Sequence, residues 1–517
     1  LTEEVAQEIE LKLSLSPQDA QRLWRCQALT SLKRTPLQSL TLNSSYFDTP
    51  DARLWRKHLT LRLRRENGQW IQTLKGGGSV LAGLHQRNEW EFPVAGRCLD
   101  LEVCKDVPGA TQLTRNKIRS ALAPQVVTQF RRSRCDLQLG TECMVELGLD
   151  RGYVAAGERR QSICEIELEL KSGQPDRLFA LALDLLREIP FRLEMNSKAE
   201  RGFALLLDSD PVPVRAPPLH LEATMTPRAG MRTAIWSCLS HFSANETGLL
   251  ADQDPEYLHQ ARVALRRLWA ALSVFESEFP ARERYPDLLE DLRWLTRTLG
   301  PARDWDVFMA ETLRKAVPQL VHKTALPAIR GRVSRRRKAA HQDALGAVAS
   351  TRYTSLMMRF AQALLDQSAD HSSSDLLFSE RTLGSLATGL MEKRYQKVLE
   401  RGAKSSHDNM EGLHRLRIDV KKLRYVAEFF RDLYPKKQMR IFISALARLQ
   451  EDLGSLNDAA TAGRMLTLLR KEGDAVEMRD ALSEIGDWWS AAATDKLVNL
   501  PEAWREFSAI RRFWFVS

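Results

Sequence analysis

The chain has no CxxC pair, and its cysteines (Cys26, Cys98, Cys104, Cys135, Cys143, Cys164 and Cys238) number seven. An odd, scattered set speaks against a disulfide framework and against a zinc site, and fits a reducing, cytoplasmic setting. No apolar run approaches the 18 residues of a membrane span, and no signal-like segment opens the chain, so no membrane partner is expected. Leu1 at the start points to a trimmed terminus or to a literally read alternative start codon. No Ser/His/Asp or Cys/His arrangement suggests a nucleophile. Gly76-Gly77-Gly78 is not followed by Lys-Ser/Thr, so it reads as a flexible turn rather than a phosphate loop. His58 and His85 stand alone, as surface or satisfied core histidines do.

What is present is charge, unevenly placed. The 517 residues carry a net charge of +10, and suggest two to four domains. Residues 1–210 hold 30 Lys+Arg against 28 Asp+Glu, and the remainder 46 against 38, so +8 of the +10 lies in the second part. A basic excess there implies a polyanionic partner.

The first part carries its charge in a period-two pattern. Glu8-Ile9-Glu10-Leu11-Lys12 alternates charge with aliphatics, and a strand sends alternate residues to one face. Two carboxylates suit a hard cation, and a lysine beside them suits a phosphate. Arg62 and Arg64 share a face in Leu61-Arg62-Leu63-Arg64, and Lys75 ends Gln72-Thr73-Leu74-Lys75. Arg87, Glu89 and Glu91 alternate again, as do Glu165, Glu167 and Glu169. Some strands are nearly all acidic and others nearly all basic. A closed barrel with a charged lumen and an apolar exterior under helices accounts for both.

Ordered pieces over about 200 residues then carry a resemblance: EIELK at 8–12, YFDTPD at 46–51, LRLR at 61–64, TLKGGG at 73–78, HQRNEWE at 85–91, VELGLDRG at 145–152, CEIELEL at 164–170 and NSKAERG at 196–202. Residues 4–205 or so resemble a CYTH domain, the triphosphate tunnel metalloenzyme fold. The resemblance implies hydrolysis of inorganic triphosphate, thiamine triphosphate or RNA 5′-triphosphate ends, or adenylate cyclase activity. Fusion to a helical domain is similar to the bacterial inorganic triphosphatase branch. It further implies Mg²⁺ or Mn²⁺ on Glu8, Glu10, Glu165 and Glu167. A phosphate clamp of Lys12, Arg62, Arg64, Lys75, Arg87 and Arg132 would face it, with Lys198 closing the tunnel mouth. Glu8, Glu10, Lys12 and Lys75 form the catalytic set. Within FRRSR at 130–134, Arg131 or Arg134 could take the place of Arg132. Glu89 pairs with an arginine or binds metal, Asp150 serves structure or a second metal, and Glu169 has the weakest claim of its trio.

Helices are expected from Ser16-Pro17 to about Leu32, over 111–123 and over 176–189, with strands at about 39–92 and 126–170. Residues 208–219 hold four prolines in twelve, a semi-rigid linker. The expected domains are 1–207, a linker at 208–225, and an all-α domain at 226–517. The first is α+β, an antiparallel eight-stranded tunnel with helices.

The helical part repeats itself. His259-x-x-Arg262-Val263-x-x-Arg266-Arg267-Leu268 recurs as His414-x-x-Arg417-Ile418-x-x-Lys421-Lys422-Leu423-Arg424-Tyr425. Leu299-Gly300 with Arg303-Asp304 recurs as Leu453-Gly454 with Asn457-Asp458, again about 155 residues on. A duplicated bundle is expected. Offsets 0, +3 and +7 share one helix stripe, so His259, Arg262 and Arg266 face one way, as do His414, Arg417 and Lys421. Paired stripes make a channel for a linear polyanion. Residues 226–510 resemble a CHAD domain, a conserved-histidine helical module whose members bind inorganic polyphosphate. That resemblance implies binding through the stripes together with Arg267, Lys422 and Arg424. It departs at Trp269, where the family usually has Arg, at a cost of one phosphate contact. Arg332 and the RRRK run at 335–338 add basic surface.

The expected function is metal-dependent hydrolysis of inorganic triphosphate to diphosphate and phosphate, with a helical domain holding polyphosphate and no nucleic acid required. The alternatives are a non-catalytic polyphosphate scaffold, a thiamine triphosphatase and an adenylate cyclase.

Overall fold

Ten strands form one antiparallel sheet in the computed structural model, which describes residues 7–66, 68–113, 115–208, 211–252, 254–366, 381–404, 410–470 and 476–515. Contacts divide the chain into two units, Leu1–Val212 with Ala349–Gln367, and Pro213–Val348 with Ser368–Ser517. The strands are β1 (Gln7–Ser14), β2 (Lys33–Arg34), β3 (Gln38–Asp48), β4 (Leu59–Glu66), β5 (Gln69–Leu81), β6 (Leu84–Val94), β7 (Ala123–Leu139), β8 (Cys143–Ala156), β9 (Arg159–Ser172) and β10 (Arg192–Leu193). Eight of them run β1-β6-β5-β4-β3-β7-β8-β9, and pairing of β9 with β1 closes the barrel. The expected eight-stranded antiparallel barrel is therefore the fold of the first unit. All seven cysteines are free thiols, and no described helix is long and apolar enough to cross a membrane.

Alternation sets the two faces of the wall. Leu11, Leu13, Leu61, Leu63, Leu147, Leu149, Ile166 and Leu168 point outward and are buried beneath helices and loops. Their neighbours Glu10, Lys12, Arg62, Asp150, Glu165 and Glu167 point into the lumen and are also buried. Burial of so many charges is tolerable only because they pair with one another.

Three local expectations are corrected. The helix expected from Ser16-Pro17 to Leu32 is three short pieces, Pro17–Ala20, Leu23–Arg25 and Gln27–Thr30. Of the helix expected at 111–123, the α-helical part is only Asn116–Arg119. Gly76-Gly77-Gly78 is not a turn but lies inside β5, where the pairing with β6 shifts between Gly76 and Ser79. Gly78 sits at φ +113, and a Cβ there would stand 2.1 Å from the Gln86 carbonyl oxygen, so glycine admits the bulge. The YFDTPD segment is structural. Buried Asp48 accepts backbone N–H bonds from Leu54 at 2.9 Å and Trp55 at 2.8 Å, and so ends β3.

The helix Lys198–Leu207 begins in a capping box. Ser197 Oγ accepts from the Glu200 N–H at 3.2 Å, while Glu200 Oε2 accepts from the Ser197 N–H at 2.5 Å. Its Phe203 stacks on Trp55 with centroids 4.8 Å apart. Another helix of this unit, Thr351–Leu365, comes from far along the chain. It packs on Asp176–Leu186, and its Thr354 hydroxyl donates to the Phe191 carbonyl at 3.4 Å.

The second unit is helical. Thr226 caps Pro227–Leu250 and Asp254 caps Pro255–Val274, each with proline at the first position. Pro286–Val307 runs into a π-helical turn, Phe308–Leu313, and Leu326–Val348 packs against it. Leu383–Lys404, Met410–Phe429, Lys436–Arg470, Val476–Leu497 and Leu500–Ser508 complete the bundle. The two helices bearing the repeated motif are each 20 residues long, start 155 residues apart and touch. Val214 is pinned by Asn245, whose Oδ1 accepts its N–H and whose Nδ2 donates to its carbonyl, both at 2.9 Å.

Gly202 lets the helix Lys198–Leu207 lie close on the barrel, since a Cβ there would stand 2.1 Å from Val126 Cγ1 and 3.0 Å from Val154 Cγ2. We expect Gly202→Ala to destabilise the protein by about 1–3 kcal/mol in urea unfolding, despite alanine's better helix propensity. Val126→Ala in the same chain should return part of that loss; additive losses would show that the clash is not the cause.

Candidate active site

Strand register assembles the acidic side of the lumen. Lys12 lies opposite Glu167, Ser14 and Asp150 each opposite Glu165, and Arg132 opposite Asp150. Opposed residues point to the same face, so these side chains converge. Lys12 Nζ lies 2.7 Å from Glu10 Oε2 and also bonds Glu167. Lys198 Nζ lies 2.7 Å from Asp150 and 2.8 Å from Glu167, and also bonds Glu165. Arg132 forks onto Asp150 with two bonds of 2.7 Å and reaches Glu167. Gly148 opens the space over which Arg132 lies, since a Cβ there would be 3.4 Å from Arg132 Nε. Burial pushes Glu167 up, but Lys12, Lys198 and Arg132 outweigh it and hold its carboxyl well below the ordinary range.

The opposite wall is basic. Arg62 Nη2 donates to Thr73 Oγ1 at 3.0 Å and to Glu91 at 3.2 Å, with Glu89 at 3.4 Å. Lys75 bridges Glu8 and Glu89, the latter at 3.1 Å. Arg87 is held by the capping-box residue Glu200 at 2.9 Å. Arg64 differs. It donates from Nε to Ser44 Oγ at 2.9 Å, and burial together with Arg62 and Arg132 pushes it down to about 10. It is a cation in a cationic surrounding, a place that favours an added anion.

Between the walls lies a cavity of about 230 Å³. Glu8, Glu10, Lys12, Arg62, Arg64, Lys75, Arg87, Arg132, Glu167 and Lys198 line it. Glu165 does not; it is fully buried behind, held by Lys198 and Arg201. Asp150, Glu165 and Glu167 bring carboxylate oxygens within 4.8 Å of one another, a hard-oxygen donor set that fits a divalent cation. Glu8 and Glu10 instead meet Lys75 and Lys12. Of the three arginines in FRRSR, Arg131 turns outward to Ser39 at 2.7 Å, while Arg132 and Arg134 both line the cavity, Arg134 meeting Glu146 at 3.4 Å. Glu169 pairs with Lys171 at 2.6 Å at the cavity's edge. His85 is core, its Nε2 3.0 Å from the Glu194 carbonyl, and burial and Lys12 push it down to about 4. Sequence reasoning missed Arg201, Glu200 and Glu146. The first two were legible as part of NSKAERG, and Ser197-x-x-Glu200 is a capping-box signature.

A second candidate site lies within the helical unit. A channel of about 680 Å³ is lined by His259, Arg262, Arg266, Arg303, Lys315 and Arg417, with Asp304, Glu311, Glu451 and Asp458. Residues of the π-helical turn also line it, a feature frequent at functional sites. Arg266, Arg417, Lys421 and Lys422 line an adjoining groove. Three of the residues expected to bind polyanion lie elsewhere. His414 is exposed outside both cavities, Arg267 stacks on Phe429 at 6.0 Å, and Arg424 pairs with Glu428 at 2.7 Å. In the RRRK run Arg337 is tied to Asp306 at 2.6 Å, and Arg332, three residues ahead of that run, donates to the Leu469 carbonyl at 3.2 Å.

Lys198 neutralises the same three carboxylates that a cation would. Without divalent metal, Lys198→Ala should lose about 3–5 kcal/mol, the cost of stranding buried charge. Mn²⁺ should then raise Tm more in this variant than in the parent chain. Equal Mn²⁺ shifts in thermal melts would show that the trio takes no metal.

Comparison with known proteins agrees with this geometry. The CYTH domain matches residues 6–203 and the CHAD domain residues 233–467. An inorganic triphosphatase of Haemophilus influenzae is 35% identical over 208 residues, 38% of this chain and 55% of that protein. The chain thus spans about half the length of that curated relative. The crystal structure of the CHAD domain from the plant Ricinus communis is 31% identical, with a TM-score of 0.51, covering 58% of this chain and 98% of that one. A putative adenylyl cyclase from Hippeastrum, with a dominant triphosphatase activity, is 20% identical with a TM-score of 0.29, over 40% of this chain and 98% of that one. The chain belongs to the CYTH and CHAD families, with a CYTH domain at 6–203 followed by a CHAD domain at 233–467.

Proposed function

We propose that the barrel hydrolyses inorganic triphosphate to diphosphate and phosphate with Mg²⁺ or Mn²⁺, and that the helical domain binds inorganic polyphosphate. The observation that carries the first reading is Arg64, a half-buried cation of the cavity lining, pushed down to about 10 by burial, Arg62 and Arg132. Phosphoryl oxygens would relieve that repulsion, and a guanidinium fork matches them. The 230 Å³ cavity lies below the range of about 300–1,000 Å³ usual for drug-sized ligands, which favours a bare phosphate chain over a nucleotide. The name of the Haemophilus influenzae relative supports the same substrate.

In this reading Lys12, Arg62, Arg64, Lys75, Arg87 and Arg132 align three phosphoryl groups and neutralise their oxygens. Glu8, Glu10, Glu165 and Glu167, joined by Asp150, are the donors for the cation. When bound, that cation neutralises phosphate oxygens and lowers the pKa of water. Lys12, Lys198 and Arg132 hold Glu167 in its anionic form. Thiamine triphosphatase, adenylate cyclase and scaffold readings share this clamp, so substrate comparison separates them.

Phosphate release should be fastest from inorganic triphosphate when it is compared with ATP, thiamine triphosphate and long-chain polyphosphate under Mg²⁺ or Mn²⁺. Glu8→Gln should lower kcat/KM on the order of 10²-fold or more. Arg64→Ala should weaken triphosphate binding without lowering Tm. Unchanged affinity with a sharp fall in Tm would make Arg64 a structural residue, and no turnover of any of the four would favour the scaffold.

For the helical domain the supporting observation is Lys421. Burial, Arg266, Arg417 and Arg262 push its ammonium down to about 8. An anion bound beside it restores the proton, so binding above about pH 8 takes up a proton and weakens as pH rises. Long-chain polyphosphate affinity, titrated in EDTA from pH 7 to 9, should fall more steeply in the parent chain than in Lys421→Arg. Matching slopes would remove Lys421 from the site.

A further inference from the structure

The groove beside the channel is not built for phosphate alone. It encloses about 300 Å³ and is lined by Trp269, Val274, Ile418, Tyr425 and Val426. Trp269 is half-buried and fixed in orientation: its Nε1 donates to Thr296 Oγ1 at 3.1 Å, and that hydroxyl donates to the Leu292 carbonyl at 2.8 Å. Such anchoring pre-sets the ring, over which the Arg293 guanidinium lies 5.9 Å from the centroid. The repeat shows that this is particular to one copy. The position 155 residues on is Arg424, which pairs with Glu428 at 2.7 Å. Five cations and no carboxylate line the groove, so a positively charged ring would be repelled and a neutral one accepted. Arg394 Nε is buried there without a hydrogen-bond partner among the described residues. Arg266 and Arg417 line both the groove and the channel, so the two cavities adjoin at these guanidinium groups.

We propose that this groove binds the base of a nucleoside polyphosphate, with the phosphate chain passing Arg266 and Arg417 into the channel. An apolar aromatic pocket opening onto a cationic channel matches a ligand that has a flat neutral head and a polyanionic tail. Base stacking on an aromatic side chain is sequence-tolerant, so the site selects nucleotides over bare phosphate chains without choosing strongly among bases. The proposal rests on the polyphosphate reading of the channel, and the test keeps the two apart.

The full chain is photolabelled with 8-azido-ATP in EDTA, and the labelled peptides are mapped by mass spectrometry. Label is expected on peptides spanning 266–274 or 417–426. Adenosine 5′-tetraphosphate should protect them, with a half-protecting concentration about tenfold higher in Trp269→Ala, from the energy of one stacked base. Trp269→Phe, which keeps a ring, should retain most of the affinity and guards against a folding defect in the alanine variant. Long-chain polyphosphate affinity should not change in either. Label confined to barrel peptides overturns the proposal, as does an equal loss of tetraphosphate and polyphosphate binding in Trp269→Ala. A single-stranded RNA oligomer that protects as well as the tetraphosphate overturns it in favour of nucleic acid. If Arg266→Ala with Arg417→Ala abolishes labelling yet leaves polyphosphate binding intact, the base site stands and the channel reading fails.

Discussion

The barrel depends on the mutual neutralisation of buried lysines, arginines and carboxylates around Glu167. Lys12, Lys198 and Arg132 all converge on that one side chain. An isolated buried carboxylate or ammonium would lose its charge or unfold its surroundings. Three cations on one carboxylate over-compensate it, and the excess passes to Glu10, Asp150 and Glu165. The lumen is therefore a network, not a set of pairs. Removing one member shifts the field on all the others, so its residues should not behave additively. The closed sheet supports this network by fixing register. A slip of one residue in β1 would turn Glu8, Glu10 and Lys12 outward beneath the helices and bring Ile9, Leu11 and Leu13 into the lumen.

Much of this barrel was legible because period-two charge is improbable on a strand with an ordinary wet face. Glu8, Glu10 and Lys12 on β1 and Glu165, Glu167 and Glu169 on β9 read directly as one lumen, and β1 does pair with β9. What was not legible involves neighbours that local pattern does not encode. Asp150 reads as serving structure or a second metal, because nothing in VELGLDRG shows that Glu165 lies across from it in the register. Arg201 sits on a helix and reaches Glu165 only through the close helix–sheet contact that Gly202 permits. The triple glycine has the composition of a turn, yet pairing on both sides holds it in β5 as a bulge. The helix Thr351–Leu365 reads as one more helix of the second half, and only its packing on Asp176–Leu186 places it with the barrel unit.

The helical half shows the limit of stripe arguments. A spacing of 0, +3, +7 does place residues on one side of a helix, and Arg262, Arg266, Arg417 and Lys421 do line joined cavities. Helix position alone does not say which cavity, or whether an end residue reaches it. His414 begins its stripe on an exposed turn, and His259 begins its own inside the channel. Arg267 and Arg424 sit beside the stripes in sequence but have other partners, an aromatic ring and a carboxylate. These partners come from neighbouring turns and helices whose packing one motif does not reveal.

The two domains prepare for polyanions by opposite physics. In the barrel nearly every cation already holds a carboxylate, so under the proposed function a phosphate would have to displace internal partners. In the proposed reading the carboxylates that the lysines release, Asp150, Glu165 and Glu167, would hold a divalent cation. In the groove of the helical domain the cations face one another without carboxylates, and the cost appears as the depressed Lys421 ammonium. There an added anion would displace no carboxylate of the lining and would relieve repulsion directly, without a metal. On the proposed function, the first arrangement would couple phosphate binding to a metal and to rearrangement of a charged network, as turnover requires. On the same proposal, the second would bind and hold, as retention of a long or tethered chain requires. That division follows from where the carboxylates are: on β1, β8 and β9 inside the barrel, and absent from the groove lining between Pro255–Val274 and Met410–Phe429.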